Sequence, residues 1–247
     1  MPFTPAHPAI VLPFLRSRYF SATALITGTI SPDFEYFFKA GVSGVHGHTI
    51  AGMFYFDLPV TIFLSLLFHR LVKPNLLVNL PYFLQQRSVP LLRLDYGLHI
   101  RKNLVYVLIS SMVGASLHIF WDSFTHNGGY FVQQIDLYNH VYVPFYSVKY
   151  PLFYALQHIS TITGFAIISV YVYNMPVDKE ASIVQPKIQY WILLVLLSAV
   201  FFALRFLWLP RDFKLGNAVV TAMSAIMFSL CVLGFLPALR SNKNIQL

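Results

Sequence analysis

The chain of 247 residues is 57% apolar and only 11% charged, and its mean hydropathy is +0.62. Soluble globular domains carry about a quarter charged residues, so this composition excludes an ordinary soluble domain and indicates an integral membrane protein. The net charge of +8 does not indicate a nucleic-acid partner, because the Lys and Arg residues occur in short groups beside apolar segments. That distribution is typical of the loops of membrane proteins.

The N-terminal part of the sequence predicts a helical hairpin. Two apolar stretches, Ala9–Leu15 and Tyr19–Ile30, are separated by a short basic segment. Each is shorter than the roughly 20 apolar residues that a membrane span requires. The following segment from Gly41 to Gly52 contains several glycines and two histidines, which favours turns over a helix.

Five later segments have the length and apolarity of membrane helices. They are Met53–His69, Leu104–Phe124, Leu152–Tyr173, Tyr190–Leu209 and Ala218–Leu239. Between the first two, Leu76–Leu92 is interrupted by prolines and polar residues, and we expect it to lie in the membrane interface. The expected fold is an all-α polytopic membrane helical bundle of about five transmembrane helices plus the N-terminal helical hairpin.

The same pattern gives an expected organisation and orientation. Residues 1–175 would form a helical membrane domain carrying the functional site, and residues 176–247 two further transmembrane helices of the same bundle. If the chain changes sides at each span, one side collects most of the 17 Lys and Arg residues. The positive-inside rule makes that side cytoplasmic, so His48, Asp122 and His126 are expected on the outer side.

His118, Asp122 and His126 lie four residues apart at the end of a long apolar run. Side chains at this spacing are neighbours on one helical face, and nitrogen and oxygen donors suit zinc, manganese or iron. An ionisable group at membrane depth is also a functional candidate by default. The alternative is a helix end that emerges into water at Asn127, Gly128 and Gly129, with His126 simply solvated.

Asp33 follows a proline and precedes an aromatic run, with Glu35 two residues later. On local grounds Asp33 could cap a helix N-terminus, whereas a metal would explain its apolar setting. His46 and His48 flank Gly47, which would let both rings approach one point. The alternative is a solvated loop or a helix capped by Thr49.

Two further histidines are candidates on weaker patterns. His7 stands between two prolines, and it fits either a ligand or a plain N-terminal turn. His158 lies inside the predicted span Leu152–Tyr173, where it is either an additional partner of the site or a buried histidine bonded to a neighbouring Ser or Thr. The single cysteine, Cys231, lies in an apolar run, so a metal would use His and carboxylate donors.

The order of the motifs MPFTPAHPA, SPDFEYF, GHTIAG and LHIFWDSFTHNGG resembles a family of bacterial membrane proteins catalogued as domain of unknown function 4184. The resemblance covers most of the chain from Met1 to about Tyr173. It implies a multi-pass protein of the bacterial cytoplasmic (inner) membrane.

That family is in turn similar to the membrane-bound metal-dependent hydrolases of bacteria, which show an early His, a PDxD-like element, an HRGxTHS element and an HxxxD helix. The matching positions here are His7, Asp33, His48, His118 and Asp122. Two positions depart from the pattern, since Glu35 replaces the second Asp and His46 is shifted, so their roles do not carry over directly. A more distant analogy is zinc-dependent phospholipase C, an all-helical enzyme acting on phosphodiesters.

The resemblance implies metal-assisted hydrolysis, with one or two divalent ions, zinc first among them. The metal ligands would be His7, Asp33, His48, His118, Asp122 and His126. The catalytic carboxylates would be Asp33, Glu35 and Asp122, with Asp33 or Asp122 bridging two metals and Glu35 accepting a proton. His46 and His158 would support the ligands, and the substrate would be a lipid or phosphoester met at the membrane.

The alternative is a non-enzymatic membrane protein, in which the His and Asp side chains form a packing network or a metal site for transport or assembly. A transporter is expected to carry polar groups near the middle of several spans. Here the candidate residues gather mostly at one end of the predicted helices, which favours a site at the membrane face.

Overall fold

A computed structural model of the chain describes residues 3–145, 148–180 and 184–239. Within this part the fold is all-α, apart from a small hairpin in which β1 (Tyr142–Phe145) pairs antiparallel with β2 (Val148–Pro151). The helices are α1 Ala22–Gly28, α2 Phe34–Lys39, α3 Ile50–Asn79, α4 Tyr82–Arg93, α5 Tyr96–Asp122, α6 Tyr130–Gln134, α7 Leu137–His140, α8 Leu152–Tyr173, α9 Ile188–Trp208 and α10 Leu215–Gly234. Short 3-10 segments are Thr4–Phe14, Ser31–Asp33, Pro210–Asp212 and Pro237–Leu239.

Five helices, α3, α5, α8, α9 and α10, are long and apolar enough to cross a membrane. The predicted all-α polytopic bundle is therefore confirmed, although some helix ends differ. α5 begins before the predicted start at Leu104, because two helical pieces join at a kink where Asn103 has φ −130° and ψ 31°. α3 continues past His69 and contains two π-helical turns, Met53–Asp57 and Phe68–Val72.

The part of α3 after His69 is stabilised by hydrogen bonds that could not be predicted from its sequence. Asn75 and Asn79 are buried, and their side-chain amides donate to the backbone oxygens of Leu233 (2.5 Å) and Leu239 (3.1 Å). These bonds satisfy backbone groups at and beyond the end of α10. The segment predicted as interfacial thus divides between the end of α3 and the separate helix α4.

The described chain forms two compact units that are interleaved in sequence. The first unit comprises Met1–Asp33, His46–Ile62 and Val105–Asn174, and the second comprises Phe34–Val45, Phe63–Leu104 and Met175–Leu247. In the second unit α9 packs on α10 around Tyr190, Leu194, Leu233 and Leu239. The first unit holds almost all of the candidate site residues.

In the first unit, the Thr4–Phe14 segment packs against α1, and the two together form the expected N-terminal hairpin. The same segment also packs against α8.

Helices α1 and α5 come unusually close at two glycines. A Cβ atom on Gly114 would lie 2.5 Å from the carbonyl oxygen of Leu25 and 2.9 Å from Cα of Gly28. Only glycine allows this approach, and it brings the residues after Gly28 beside the last two turns of α5.

Candidate metal centre

Four donor atoms converge in the first unit: one carboxylate oxygen each from Asp33 and Asp122, and one imidazole nitrogen each from His48 and His118. All four lie within 4.8 Å of one another. From Nε2 of His118, the distances are 3.2 Å to Asp122 Oδ2, 3.3 Å to His48 Nε2 and 3.7 Å to Asp33 Oδ1. From Nε2 of His48, they are 3.4 Å to Asp33 Oδ1 and 3.5 Å to Asp122 Oδ2.

His118 and Asp122 share one face of the final turns of α5, as their four-residue spacing predicts. The ring of His118 is fully buried, and its Nδ1 lies 2.7 Å from the carbonyl oxygen of Thr29, just after α1. A carbonyl oxygen can only accept, so Nδ1 carries the proton. Nε2 is therefore the nitrogen that faces the carboxylates.

Asp33 ends the 3-10 turn Ser31–Asp33 and is fully buried. The hydroxyl of Thr4 donates to its Oδ2 at 2.5 Å. The other oxygen, Oδ1, is buried and meets no hydrogen-bond donor in suitable geometry among the described residues. It is the oxygen that faces His48 and His118.

His48 reaches this point because Gly47 lies directly on the backbone of Pro32, so closely that a Cβ atom at position 47 would overlap the Pro32 carbonyl. The next residue, Thr49, caps the N-terminus of α3, with its hydroxyl accepting from the Gly52 N–H at 2.9 Å. The loop is thus fixed on both sides of His48. With 29% of its side chain exposed, His48 forms part of the accessible side of the centre.

His7 and His126 approach the second oxygen of Asp122. His7 Nε2 lies 3.0 Å and His126 Nδ1 3.5 Å from Asp122 Oδ1. The His7 ring is fully buried and stacks on His118, with centroids 3.9 Å apart. The fold therefore brings all six predicted ligands together around Asp122.

The charges of the centre are strongly coupled. Burial opposes the charged form of His48, but the carboxylates of Asp122 and Asp33 outweigh this and raise the pKa of His48 to about 10. Burial would also raise the pKa of Asp33, but the imidazoles of His118, His48 and His7 hold it below the usual value. Burial and the neighbouring His118 lower the pKa of His7. Asp33 is thus kept ionised although it is fully buried.

The donor set fits a divalent metal. A tetrahedral ion with bonds of about 2.1 Å holds its donors about 3.4 Å apart. The distances that involve His48 or His118 are 3.2 to 3.7 Å, and all four donor atoms lie within 4.8 Å of one another. Asp33 Oδ1 and Asp122 Oδ2 are buried without a hydrogen bond in the described part of the chain. Buried carboxylate oxygens are costly unless they meet a donor or a cation.

The remaining predicted residues are placed elsewhere. Glu35 lies in the second unit, where its carboxylate accepts from Lys39 Nζ at 2.6 Å and from the Val45 N–H at 2.8 Å. His46 Nδ1 lies 2.8 Å from the hydroxyl of Tyr55. His158 is exposed and packs edge-on against Tyr154. The structure places none of these three among the grouped donors, and their predicted roles stay predictions.

Two contributors to the site were not identified from the sequence. The Thr4 hydroxyl holds Asp33, and the Thr29 carbonyl holds His118. Thr4 lies three residues before His7, so its proximity to a candidate ligand was a weak signal. Thr29 contributes through its backbone carbonyl, which no residue pattern reveals.

The sequence contained a clearer indication of where Glu35 would be engaged. Lys39 lies four residues later, and this spacing predicts a helical ion pair.

Comparisons with known proteins identify a family. The family model described as "Domain of unknown function (DUF4184)" matches residues 1–235. No curated protein and no solved structure matches the chain.

Proposed function

The chain belongs to the DUF4184 family, whose description assigns no activity, and we propose that it is a metal-dependent hydrolase of a bacterial inner membrane. The centre formed by Asp33, His48, His118 and Asp122 would hold the metal, with zinc as the first candidate. The similarity of its motif order to that of membrane-bound metal-dependent hydrolases supports this proposal.

The observation that carries the proposal is the orientation of His118. Its Nδ1 proton is committed to the Thr29 carbonyl, so its Nε2 faces Asp122 Oδ2 at 3.2 Å, an oxygen that has no hydrogen bond among the described residues. An imidazole nitrogen and a carboxylate oxygen at this distance share either a proton or a metal cation, and only a metal can bind Asp33 and His48 at the same time. A backbone acceptor behind a metal-bound histidine is the usual arrangement in metalloproteins.

A bound divalent metal supplies Lewis acidity and lowers the pKa of a coordinated water towards neutrality. The chain's own residues define the surroundings of that chemistry. Asp33 and His118 are fully buried and exclude water from one side, whereas His48 is partly exposed. Substrate would therefore approach past His48. Either Asp33 or Asp122 would orient a nucleophilic water or accept its proton.

The surroundings favour a substrate at the membrane face. Asp122 is the last residue of a helix long enough to span the membrane. Large apolar side chains of the first unit are exposed on the neighbouring segments, including Phe120 (51%) and Tyr130 (68%). Aromatic residues are enriched at membrane interfaces. We propose a lipid or a phosphoester as substrate, met on the outer side of the membrane.

The proposal is tested with the full-length protein purified in detergent without chelators. We expect bound metal by elemental analysis and hydrolysis of bis(p-nitrophenyl) phosphate or of phospholipid in mixed micelles. His118→Ala and Asp122→Ala should lose both, whereas His140→Ala, an exposed histidine of the same unit, should lose neither. Wild-type protein that carries no metal and binds none on addition of Zn²⁺ would exclude the hydrolase.

One observation favours transport as a second candidate function. Buried polar residues recur at every fourth position along the membrane helix α3, at Asp57, Thr61, Ser65, His69 and Lys73. Such groups often accompany ion pathways in membrane proteins. Proteoliposomes would distinguish the two functions: transport predicts an ion flux that Asp57→Asn abolishes, whereas the hydrolase predicts turnover without flux.

A further inference from the structure

Helix α4 belongs to the second unit and is fixed to the end of α3 by two buried side chains. Lys73 of α3 donates through Nζ to three carbonyl oxygens at the C-terminal end of α4, and the shortest of these bonds is 2.8 Å, to Leu94. Near the other end of α4, the Gln85 amide donates to the carbonyl oxygen of Leu80 at 2.7 Å. These bonds determine which face of α4 turns away from the protein.

The outward face of α4 combines aromatic and basic side chains. The buried residues of the helix, Gln85 and Val89, lie one turn apart and mark the face that packs on the protein. The aromatic residues Tyr82 and Phe83 are 51% and 54% exposed. Two arginines follow on the outward side, Arg87, which is partly exposed, and Arg93, whose side chain is 61% exposed.

The surroundings of α4 are basic. Residues 63–104 and 175–180 of the second unit contain seven Lys and Arg but only three Asp and Glu. Two of the acids are engaged, since Asp95 accepts the Leu98 N–H at 3.0 Å and Asp178 lies 3.9 Å from Arg93. An exposed ion pair at this distance contributes little, so the charge of Arg93 remains available to an anionic ligand.

Lys73 removes an obstacle to such a ligand. The carbonyl oxygens at the C-terminal end of a helix carry a partial negative charge, which repels anions. In α4 these oxygens bond to the Lys73 ammonium group. The end of the helix that carries Arg93 therefore does not oppose the approach of a negatively charged group.

The position of α4 in the chain keeps it close to the bilayer. It joins α3 to α5, two helices that are long and apolar enough to cross a membrane, and each connection is only two residues long. Tyr side chains are enriched at the membrane interface, and arginine binds phosphate oxygens through two parallel hydrogen bonds. Phospholipid headgroups supply both surroundings at once.

We infer that the outward face of α4 is a binding surface for anionic phospholipid, in which Arg87 and Arg93 bind headgroup phosphates and Tyr82 and Phe83 lie among the headgroups. This surface is independent of the metal centre and goes beyond the proposed hydrolysis. An acidic protein would also complement the basic charge, but the short connections to α3 and α5 favour the membrane surface.

The test measures lipid binding to the full-length protein in detergent by native mass spectrometry. We expect phosphatidylglycerol to bind more tightly than phosphatidylcholine with the same acyl chains. One arginine near an anionic membrane surface strengthens binding by about fivefold. The double variant Arg87→Gln/Arg93→Gln should therefore bind phosphatidylglycerol roughly 25-fold more weakly. The matched control is Arg211→Gln/Lys214→Gln, which removes two exposed basic residues of the same unit and should bind like wild type.

The outcomes distinguish the lipid surface from its alternatives. Equal affinity for the two lipids, or wild-type affinity in the double variant, would overturn the inference. Inorganic phosphate or polyglutamate that binds as tightly as phosphatidylglycerol would also overturn it, because the ligand would then be a soluble anion or an acidic protein. Since Arg93 is exposed, Arg93→Gln alone should show about a fivefold loss even if the double variant fails to fold.

One further variant separates this inference from the proposed function. Asp122→Ala should lose the metal but bind phosphatidylglycerol like wild type, because Asp122 lies in the first unit. Loss of phosphatidylglycerol binding in folded Asp122→Ala would assign the lipid to the metal centre and contradict the surface on α4. Selective lipid binding by a protein that holds no metal would support the surface and exclude the hydrolase.

Discussion

The Nδ1 atom of His118 lies 2.7 Å from the carbonyl oxygen of Thr29, so a backbone group outside α5 determines which nitrogen of this histidine faces the centre. Thr4 has the corresponding role for Asp33, but through its side chain. The two threonines therefore support neighbouring ligands by different atoms, and substitution can distinguish them.

Thr4→Val should weaken metal binding by roughly 10- to 100-fold, which is typical of removing a hydrogen bond behind a ligand. The hydroxyl that holds Asp33 is lost, while the side-chain volume is nearly unchanged. Thr29→Val is the matched control: its carbonyl remains, and its hydroxyl only donates to the Ile26 oxygen at 2.8 Å. Calorimetric titration with Zn²⁺ measures both, and equal losses in the two variants would contradict the assigned roles.

Metal binding should become tighter as pH rises. With no metal bound, burial is outweighed by Asp122 and Asp33, and the pKa of His48 is about 10. At neutral pH His48 therefore carries a proton that must leave before its Nε2 binds a metal. The affinity for Zn²⁺ should increase by roughly tenfold per pH unit below the pKa, for each proton released. Titrations in buffers of different ionisation enthalpy count that proton.

The control for proton release is His48→Ala, which should bind metal more weakly and release one proton fewer. His140→Ala, which removes an exposed histidine of the same unit, should behave like wild type. Zn²⁺ binding that releases no proton near neutral pH would show that the metal does not replace the proton of His48.

Gly114→Ala should destabilise the protein by about 1–3 kcal/mol, the usual range for an overpacked contact. The new methyl group would lie 2.5 Å from the Leu25 oxygen, so α1 must move away from α5 and carry the Thr29 carbonyl with it. Thermal unfolding in detergent should show a lower midpoint, and Zn²⁺ affinity should fall as well. Gly128→Ala has open space around its Cβ position and should change neither; a similar effect in both variants would contradict the packing argument.

The orientation predicted from the basic residues can be tested on intact cells. Cys231 is the only cysteine, so a Cys231→Ser background accepts single cysteines at the exposed positions Arg93 and Asn127. We expect a membrane-impermeant maleimide to label Asn127→Cys directly and Arg93→Cys only after permeabilisation. The reverse pattern would place the metal centre on the cytoplasmic side.

The sequence predicted those parts of the molecule that depend on local periodicity. The five spans follow from apolar length, and the shared face of His118 and Asp122 follows from helical spacing. Asp33 and His48 are distant from His118 and Asp122 in sequence. Their grouping with these residues could be predicted only from the order of the motifs that the resemblance supplied.

Other features depend on tertiary contacts and could not be predicted. The path of α3 beyond His69 depends on amide bonds from Asn75 and Asn79 to backbone oxygens. At Asn103 a kink joins the helical piece that begins at Tyr96 to the rest of α5. For Glu35 the local pattern was informative. Its four-residue spacing from Lys39 predicts the ion pair that forms, whereas its catalytic assignment came from the resemblance to a PDxD element.

The close contact between Gly28 and Gly114 fixes a register as well as a distance. From Gly114 to Asp122 the helix makes about two turns, and one inserted residue would rotate everything after it by about 100°. Such an insertion would turn His118 away from the Thr29 carbonyl, whereas a change in length before Gly114 would leave this arrangement intact. Members of the family that inhabit membranes of different thickness should therefore vary in the first part of this helix and keep the length of its last two turns constant.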